Sequence, residues 1–268
     1  PLILDSLVTQ SVALSKQLEF HILANHLFAN AKALVFVGAF IKGDEGKFFL
    51  TKGLSILDKE VAEQFLADGG HFERSPMYHA ILLWDMCDLL NLAQIAGIEK
   101  LETHISGWIK VIRKGLYFHS KMSHLDGEVS FFNDSTQGLS PSLKILLEYT
   151  ENLGIDHQFD TLYPSTTWLQ DCGYVVVDIA PESKAILDLA LVGPDYQPGH
   201  AHADTLSFEL SLFGKRVFVN SGISQYNVGT ERDWQRSTAA HNTVEINGEN
   251  SSDVWGGFRV GRRAYPFD

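Results

Sequence analysis

The sequence predicts an α+β chain in two parts, hairpin-linked helices over residues 1–160 and the first part of an antiparallel β-sandwich over 161–268. Three observations carry this expectation. Before about residue 155 the apolar residues recur at spacings of three and four, which lines one face of an α-helix. From about residue 165 they gather instead into short runs rich in Val, Ile, Phe and Leu, cut by turn signals such as Phe213-Gly214-Lys215 and Asn247-Gly248. Strand and helix nowhere alternate, so neither a doubly wound sheet nor a strand–helix barrel has support.

The helices follow in order. Segment 12–37 has good helix formers and neither Pro nor Gly, and predicts one long helix. A second fits 47–67 and ends at Gly69-Gly70. The third runs from Pro76 to Ala96, with Ser75 as its cap, Pro early in its first turn and Gly97 as its stop. A fourth covers 98–118, and a shorter one covers 141–153 after Ser140-Pro141. Strands are expected in 174–179, 184–193, 207–222 and 241–248, with further strands around 258–268 that find no later partners in the chain. A sandwich that stops there is incomplete, so the expectation includes a truncated or cleaved protein, or a second chain.

Charge narrows the partners. Twenty-one Lys and Arg against 33 Asp and Glu leave a formal charge of −12, which disfavours nonspecific attraction to nucleic acid or anionic membranes. Arg232, Arg236, Arg259, Arg262 and Arg263 crowd the C-terminal 40 residues or so, so a cleft of local positive potential is available for an anionic substrate. Cys87 and Cys172 form no CxxC pair, and no apolar run approaches the ~18 residues a membrane helix needs.

Three segments carry chemistry-bearing side chains. Asn25-His26 falls inside the first predicted helix, where Asn is a poor choice because its amide competes with backbone bonds; it calls for a tertiary partner or a ligand. In Ser75-Pro76-Met77-Tyr78-His79, Tyr78 and His79 fall in a first helical turn, whose positive potential favours a phenolate, although a phenol starts near pKa 10. In Gly199-His200-Ala201-His202-Ala203-Asp204, a strand would place His200, His202 and Asp204 on one face. With His241 brought in from another strand, that spacing suits a metal set or a polar active-site wall. Ordinary core histidines and a structural Tyr account for the same residues as readily.

Taken together, Asn25-His26, the 73–79 segment ERSPMYH, the 200–222 segment HAHADTLSFELSLFGKRVFVNSG and the 236–244 segment RSTAAHNTV resemble the heparinase II/III-like polysaccharide lyases. Heparin, heparan sulfate and alginate lyases belong to that family. The resemblance covers nearly the whole chain and implies an incomplete (α/α) toroid followed by the N-terminal part of the β-sandwich. It implies cleavage of a uronic-acid-containing glycan by β-elimination, in which neutralising the sugar carboxylate is the central electrostatic task. Asn25 and His26 look like the neutralising pair, and Tyr78 resembles the acid to the leaving oxygen, serving also as base for one C5 configuration. His200 matches the histidine that neutralises or acts as base on the opposite face. His202 and His241 resemble metal ligands of zinc-containing members, His241 alternatively facing substrate. The carboxylate that completes that set in relatives is Asn220 here, so no cofactor is required and zinc is not expected. Phe131, Asn133 and Asp134 resemble a loop at the cleft. His79, Asn133, Arg236, Trp255 and Arg259 are the further candidate substrate contacts, and Trp168, Tyr226 and Trp234 are aromatics suited to stacking on sugars.

The implied partner is an acidic polysaccharide or oligosaccharide, together with the remaining C-terminal part of the same protein, and the implied setting is bacterial, periplasmic or secreted. Three rival readings stay open: a metal-assisted glycan hydrolase using His200, His202, Asp204 and His241, a noncatalytic acidic-glycan-binding module, and an inactive fragment.

Overall fold

The computed structural model describes residues 2–157, 159 and 162–267; the expected boundary at 160–161 and Asp268 lie outside them. Helices come first: α1 (Leu2–Lys16), α2 (Ala24–Phe40), α3 (Asp44–Gln64), α4 (Pro76–Ile95), α5 (Glu99–Glu102), α6 (Ile105–Met122) and α7 (Leu143–Asn152). An antiparallel meander follows, β1 (Ser165–Leu169), β2 (Tyr174–Ala180), β3 (Ser183–Asp188), β4 (Phe208–Leu212) and β5 (Lys215–Phe218), in that spatial order. After it come α8 (Thr230–Gln235) and the small ribbon of β6 (Val254–Trp255) and β7 (Arg259–Val260). The helical N-terminal part and antiparallel C-terminal part are therefore as the sequence predicts. Compactness divides the chain differently, into one unit of residues 1–64 and 85–110 and another of 65–84 and 111–268. Among the described residues no helix is long and apolar enough to cross a membrane.

In the first unit, α2 and α3 pack through Leu27, Phe28, Leu34 and Val35 against Phe49, Leu50, Leu54 and Leu57, all buried. The approach is close because two positions lack a Cβ: one at Gly38 would meet the Leu50 backbone at 2.3 Å, and one at Gly53 the Ala31 carbonyl at 2.8 Å. The single helix expected over 12–37 is broken here. After Lys16 the chain turns, and Leu23 and Ala24 take φ of 65° and 50° before α2 begins. Asn30 holds the turn, accepting from the Glu19 amide at 3.0 Å and donating to the Glu19 carboxylate at 2.8 Å. Local periodicity could not register this, because the break is made by a side chain eleven residues downstream. Likewise the helix expected over 98–118 is two, α5 and α6, with Thr103 and His104 between them.

In the second unit the buried face of the sheet, with Tyr174, Val176 and Ile186, packs on Phe118, Met122 and Phe132. One edge of this face is polar and fully answered. Lys184 donates to the carbonyls of Ser120, Lys121 and Ser123 at the end of α6, at 3.1, 3.3 and 2.9 Å, where the helix dipole favours a cation. Lys121 pairs with Asp178 at 2.8 Å, and His124 with Glu209 at 2.6 Å. The β4–β5 hairpin turns at Phe213 and Gly214, both at positive φ (53° and 74°), the twist-matched turn that this position demands.

Two strands expected from the sequence are not strands. Residues 199–206 form an irregular loop whose backbone groups serve other loops: the His200 carbonyl accepts from Asp134 N–H at 3.0 Å, His202 N–H donates to Asn133 Oδ1 at 3.1 Å, and Ala203 N–H to the Arg236 carbonyl at 2.9 Å. Segment 241–248 is irregular too, with Asn242 N–H held by the Asn220 amide oxygen at 3.1 Å. Side-chain amides thus replace the ladder that alternation in the sequence suggests.

His79 and His119 stack 5.8 Å apart in the core, and burial pushes their pKa values down to about 4 and about 3. Both are then neutral in the fold and bind protons once unfolded, so stability is full above about pH 6.5 and falls as pH drops towards 4, by about 1.4 kcal/mol per pH unit for each histidine. Denaturant unfolding across that range should show this loss. Replacing His119 by Leu should remove about half of the slope these two contribute.

Candidate active site

The second unit gathers the histidines, phenols and carboxylates around one segment, 65–79. Gly70 lets it pass close to its neighbours, since a Cβ there would meet Cys172 Sγ at 2.1 Å and the Phe118 ring at 2.5 Å. Arg74 adopts a left-handed φ of 59°, and its carbonyl is fixed by the Tyr174 hydroxyl at 2.7 Å and the Asn133 amide at 2.9 Å. Ser75 then caps α4: its Oγ accepts from Tyr78 N–H at 3.2 Å and donates to the Asp134 carbonyl at 2.7 Å. The cap orients Tyr78 on the first turn beside the 130–135 loop.

Asp134 is the hub. Its buried carboxylate accepts from His200 Nδ1 at 2.9 Å, His202 Nε2 at 2.7 Å and Arg232 Nη2 at 2.8 Å, and Arg232 Nη1 closes the fork on the other oxygen. Burial alone would raise the Asp134 pKa, but these donors outweigh it and hold the carboxyl well below the ordinary range. Because an ionised Asp134 can only accept, His200 donates from Nδ1 and keeps Nε2 for other partners. Burial opposes charge on His200, yet Glu73 and Asp134 prevail and raise its pKa.

Tyr78 stacks on the His200 ring, with centroids 3.8 Å apart and planes 24° from parallel. Its hydroxyl lies 3.0 Å from that of Tyr226. The Tyr226 ring in turn stacks on Phe258 at 5.8 Å, and the Arg232 guanidinium lies 5.2 Å from the Tyr226 centroid. A phenolate favoured by the α4 terminus is not what this environment supports. Burial, then the bond to Tyr226, then the nearby Asp134 and Glu73 raise the Tyr78 pKa, so the group is a phenol at neutral pH. Two phenols and an imidazole therefore meet at one place, the phenols able to donate a proton and the imidazole to accept one.

The histidines expected as metal ligands are otherwise engaged. His241 Nδ1 donates to the Ser237 carbonyl at 2.7 Å, and its Nε2 lies 3.1 Å from His202 Nδ1. His202 is thus held through both ring nitrogens, by His241 and by Asp134. Asn220 is buried, with its amide oxygen on Asn242 N–H, and Asp204 Oδ2 accepts from Asn133 N–H at 3.4 Å. Among the described residues no three His, Cys, Asp or Glu side chains converge to hold a metal, so the donor set does not fit zinc.

Several expected substrate contacts have structural tasks instead. His79 is buried, with Nε2 2.9 Å from the Gly115 carbonyl. Asn133, at φ 55°, uses its amide to tie Arg74 to His202. Arg236 is buried and donates to the carbonyls of Ala201, Gly256 and Arg259 at 3.0, 3.2 and 3.1 Å. Of the arginine cluster, Arg232 is also buried, while Arg262 and Arg263 pair with Asp253 and Asp195 at 3.1 and 3.0 Å. Trp255 and Arg259 are exposed on the β6–β7 ribbon. Asn25 and His26 stand in the other unit, in the first turn of α2; Asn25 is half-buried and His26 lies 3.5 Å from the Glu19 carboxylate. An apolar groove of about 870 Å³, between Phe208, Phe218, Val244 and Ile246, has His241 in its walls but no Asp, Glu, Lys or Arg.

Sequence reasoning gave no role to Glu73, counted Arg232 only in a cluster of positive potential for an anionic substrate, and treated Tyr226 as a stacking aromatic. Their spacing from Tyr78 and His200 in the chain carries no signal. Replacing Asp134 by Ala should strand a buried guanidinium and cost about 3–5 kcal/mol, read as a lowered urea midpoint.

Two family models match the chain, Heparinase II/III N-terminus over residues 4–154 and Heparinase II/III-like, C-terminal over 163–268. Curated relatives include the heparin-sulfate lyases of Bacteroides stercoris, 28% identical over 245 residues, and Bacteroides thetaiotaomicron, 25% over 259. Each alignment takes in 84% of this chain but 36% and 37% of the relative, so the chain spans little more than a third of their length. Among solved structures, heparinase III superposes with a TM-score of 0.74 at 23% identity, over 90% of this chain and 42% of that one. A mutant heparan sulfate lyase of Pedobacter heparinus gives 0.70 at 20%, over 91% and 40%. At such identities the likeness speaks for the fold alone.

Proposed function

The chain belongs to the heparinase II/III family, and on that premise we propose that it acts in a polysaccharide lyase cleaving a uronic-acid-containing acidic glycan by β-elimination. The observation that carries this reading is the Tyr78 phenol stacked on His200, whose Nδ1 is held by Asp134 so that Nε2 is the basic nitrogen. In the proposed step His200 Nε2 takes the C5 proton, and the electron pair passes into the carboxylate-stabilised anion. The C4–O bond then breaks, the C4–C5 double bond forms, and Tyr78 gives its proton to the departing oxygen. The raised pKa keeps Tyr78 protonated at neutral pH, so it has a proton to give, and Tyr226 is able to resupply it over 3.0 Å.

Carboxylate neutralisation falls to Asn25 and His26 in this scheme. Their support is the family resemblance and the position of Asn25 in the first turn of α2, where backbone N–H groups favour an anion. Residues 1–160 are read as a portion of an (α/α) toroid and 161–268 as the beginning of a β-sandwich, with the wider family architecture as support. Trp255 and Arg259 are the exposed groups best suited to contact an acidic sugar; His241, which is buried, is a further candidate on the family resemblance alone. No step is assigned to a metal. A bacterial periplasmic or secreted setting fits a polymeric substrate, and the charge of −12 argues against nucleic acid as an alternative partner.

Replacing Tyr78 by Phe should lower formation of unsaturated product, followed by its ultraviolet absorbance, by about 10²–10⁴-fold. Full rate in that variant would remove Tyr78 from the mechanism. New reducing ends without absorbance would point to hydrolysis instead.

A further inference from the structure

Glu73 lies two residues before the Ser75 cap, 2% exposed, and neither of its carboxylate oxygens has a hydrogen-bond partner among the described residues. Its Oε2 is 3.8 Å from His71 Nδ1 and its Oε1 3.8 Å from His200 Nε2. Asp134, Tyr78, Tyr226, Arg232 and His71 are the other titratable or charged groups around that imidazole among the described residues. A buried carboxylate without donors is costly to keep ionised, and burial, opposed by His200 and reinforced by Asp134, pushes this one up to about 7. Packing gives no reason for a carboxylate here, because a neutral side chain of equal size would fill the same space without that cost.

The distance supplies a reason. At 3.8 Å, Glu73 is too far from Nε2 for a hydrogen bond, so the lone pair that a base needs is not occupied. Coulomb attraction falls off more slowly than hydrogen bonding and is strengthened by burial, so a proton arriving at Nε2 meets a carboxylate on each side of the ring. We propose that Glu73 is a positioning residue of the elimination, a carboxylate that faces His200 Nε2 and stabilises the imidazolium formed when that nitrogen takes the sugar proton. In that step the C5–H bond breaks and the Nε2–H bond forms. Glu73 stays ionised as the counter-charge, and the proton passes to water after product leaves. The proposal rests on the lyase reading of the same site.

The test compares wild type with Glu73→Gln and Glu73→Asp on heparan sulfate and on alginate. Glu73→Gln keeps the shape and removes the charge. It should lower kcat at least tenfold, leave KM within twofold, and leave the thermal midpoint unchanged or raised, since a costly buried charge is gone. Glu73→Asp, which keeps the charge, should retain more of the rate. A folded Glu73→Gln protein with kcat within twofold of wild type overturns the role of Glu73 alone, as does an Asp variant no faster than the Gln variant. A lowered midpoint with unchanged kcat identifies a merely structural carboxylate. Wild type that yields no unsaturated product from either polymer overturns the lyase reading and this role with it.

Discussion

The Asp134 carboxylate, sealed from water and shared by His200, His202 and Arg232, is the interaction on which the second unit depends. It joins three stretches that have no sheet or helix to hold them together: the 130–135 loop, the 199–206 loop and the short α8. A buried carboxylate that lost its donors would be severely destabilising, whereas a satisfied one specifies a single arrangement. The same bonds that keep these loops in place decide which nitrogen of His200 carries the proton. Structure and chemistry are thus set by one group, and a change to either appears in both.

The second layer of the site concerns charge. The chain is acidic overall, and its C-terminal arginines suggest a cleft of opposite sign, but four of the five are either buried in the loop scaffold or paired with aspartates. Arg232 and Arg236 act on backbone carbonyls and on Asp134, holding loops rather than meeting solvent. Any attraction for an anionic polymer must then come from fewer groups, among them Arg259 and the protonatable His200. His200 lies between Asp134 and Glu73, so its charge is governed by two carboxylates of different character, one strongly ionised and hydrogen-bonded, the other without donors and poised near neutrality.

Metal ligation shows how a pattern in sequence can be answered in more than one way. Paired histidines two apart, with a third later in the chain, suit zinc when a carboxylate completes the set. With Asn220 in that place, the ring nitrogens of His202 and His241 bond to each other, to Ser237 and to Asp134.

The sequence by itself determined the order of helices and then antiparallel strands, the Ser75 cap with Tyr78 behind it, and the meander from Tyr174 to Phe218, because periodicity, capping and turn chemistry are local properties of the chain. It also placed the chain in its family through the order of short motifs. Only the tertiary structure decided that 12–37 breaks before Asn25, that the His200–Asp204 segment is a loop, that Arg236 and His79 are structural, and that Asp134, Tyr226, Arg232 and Glu73 surround the imidazole. Those outcomes depend on bonds between residues well separated in the chain, as when Asn30 holds the turn at Glu19 eleven residues earlier or Asp134 gathers His200 and Arg232. No window of neighbouring residues carries the energy of such contacts.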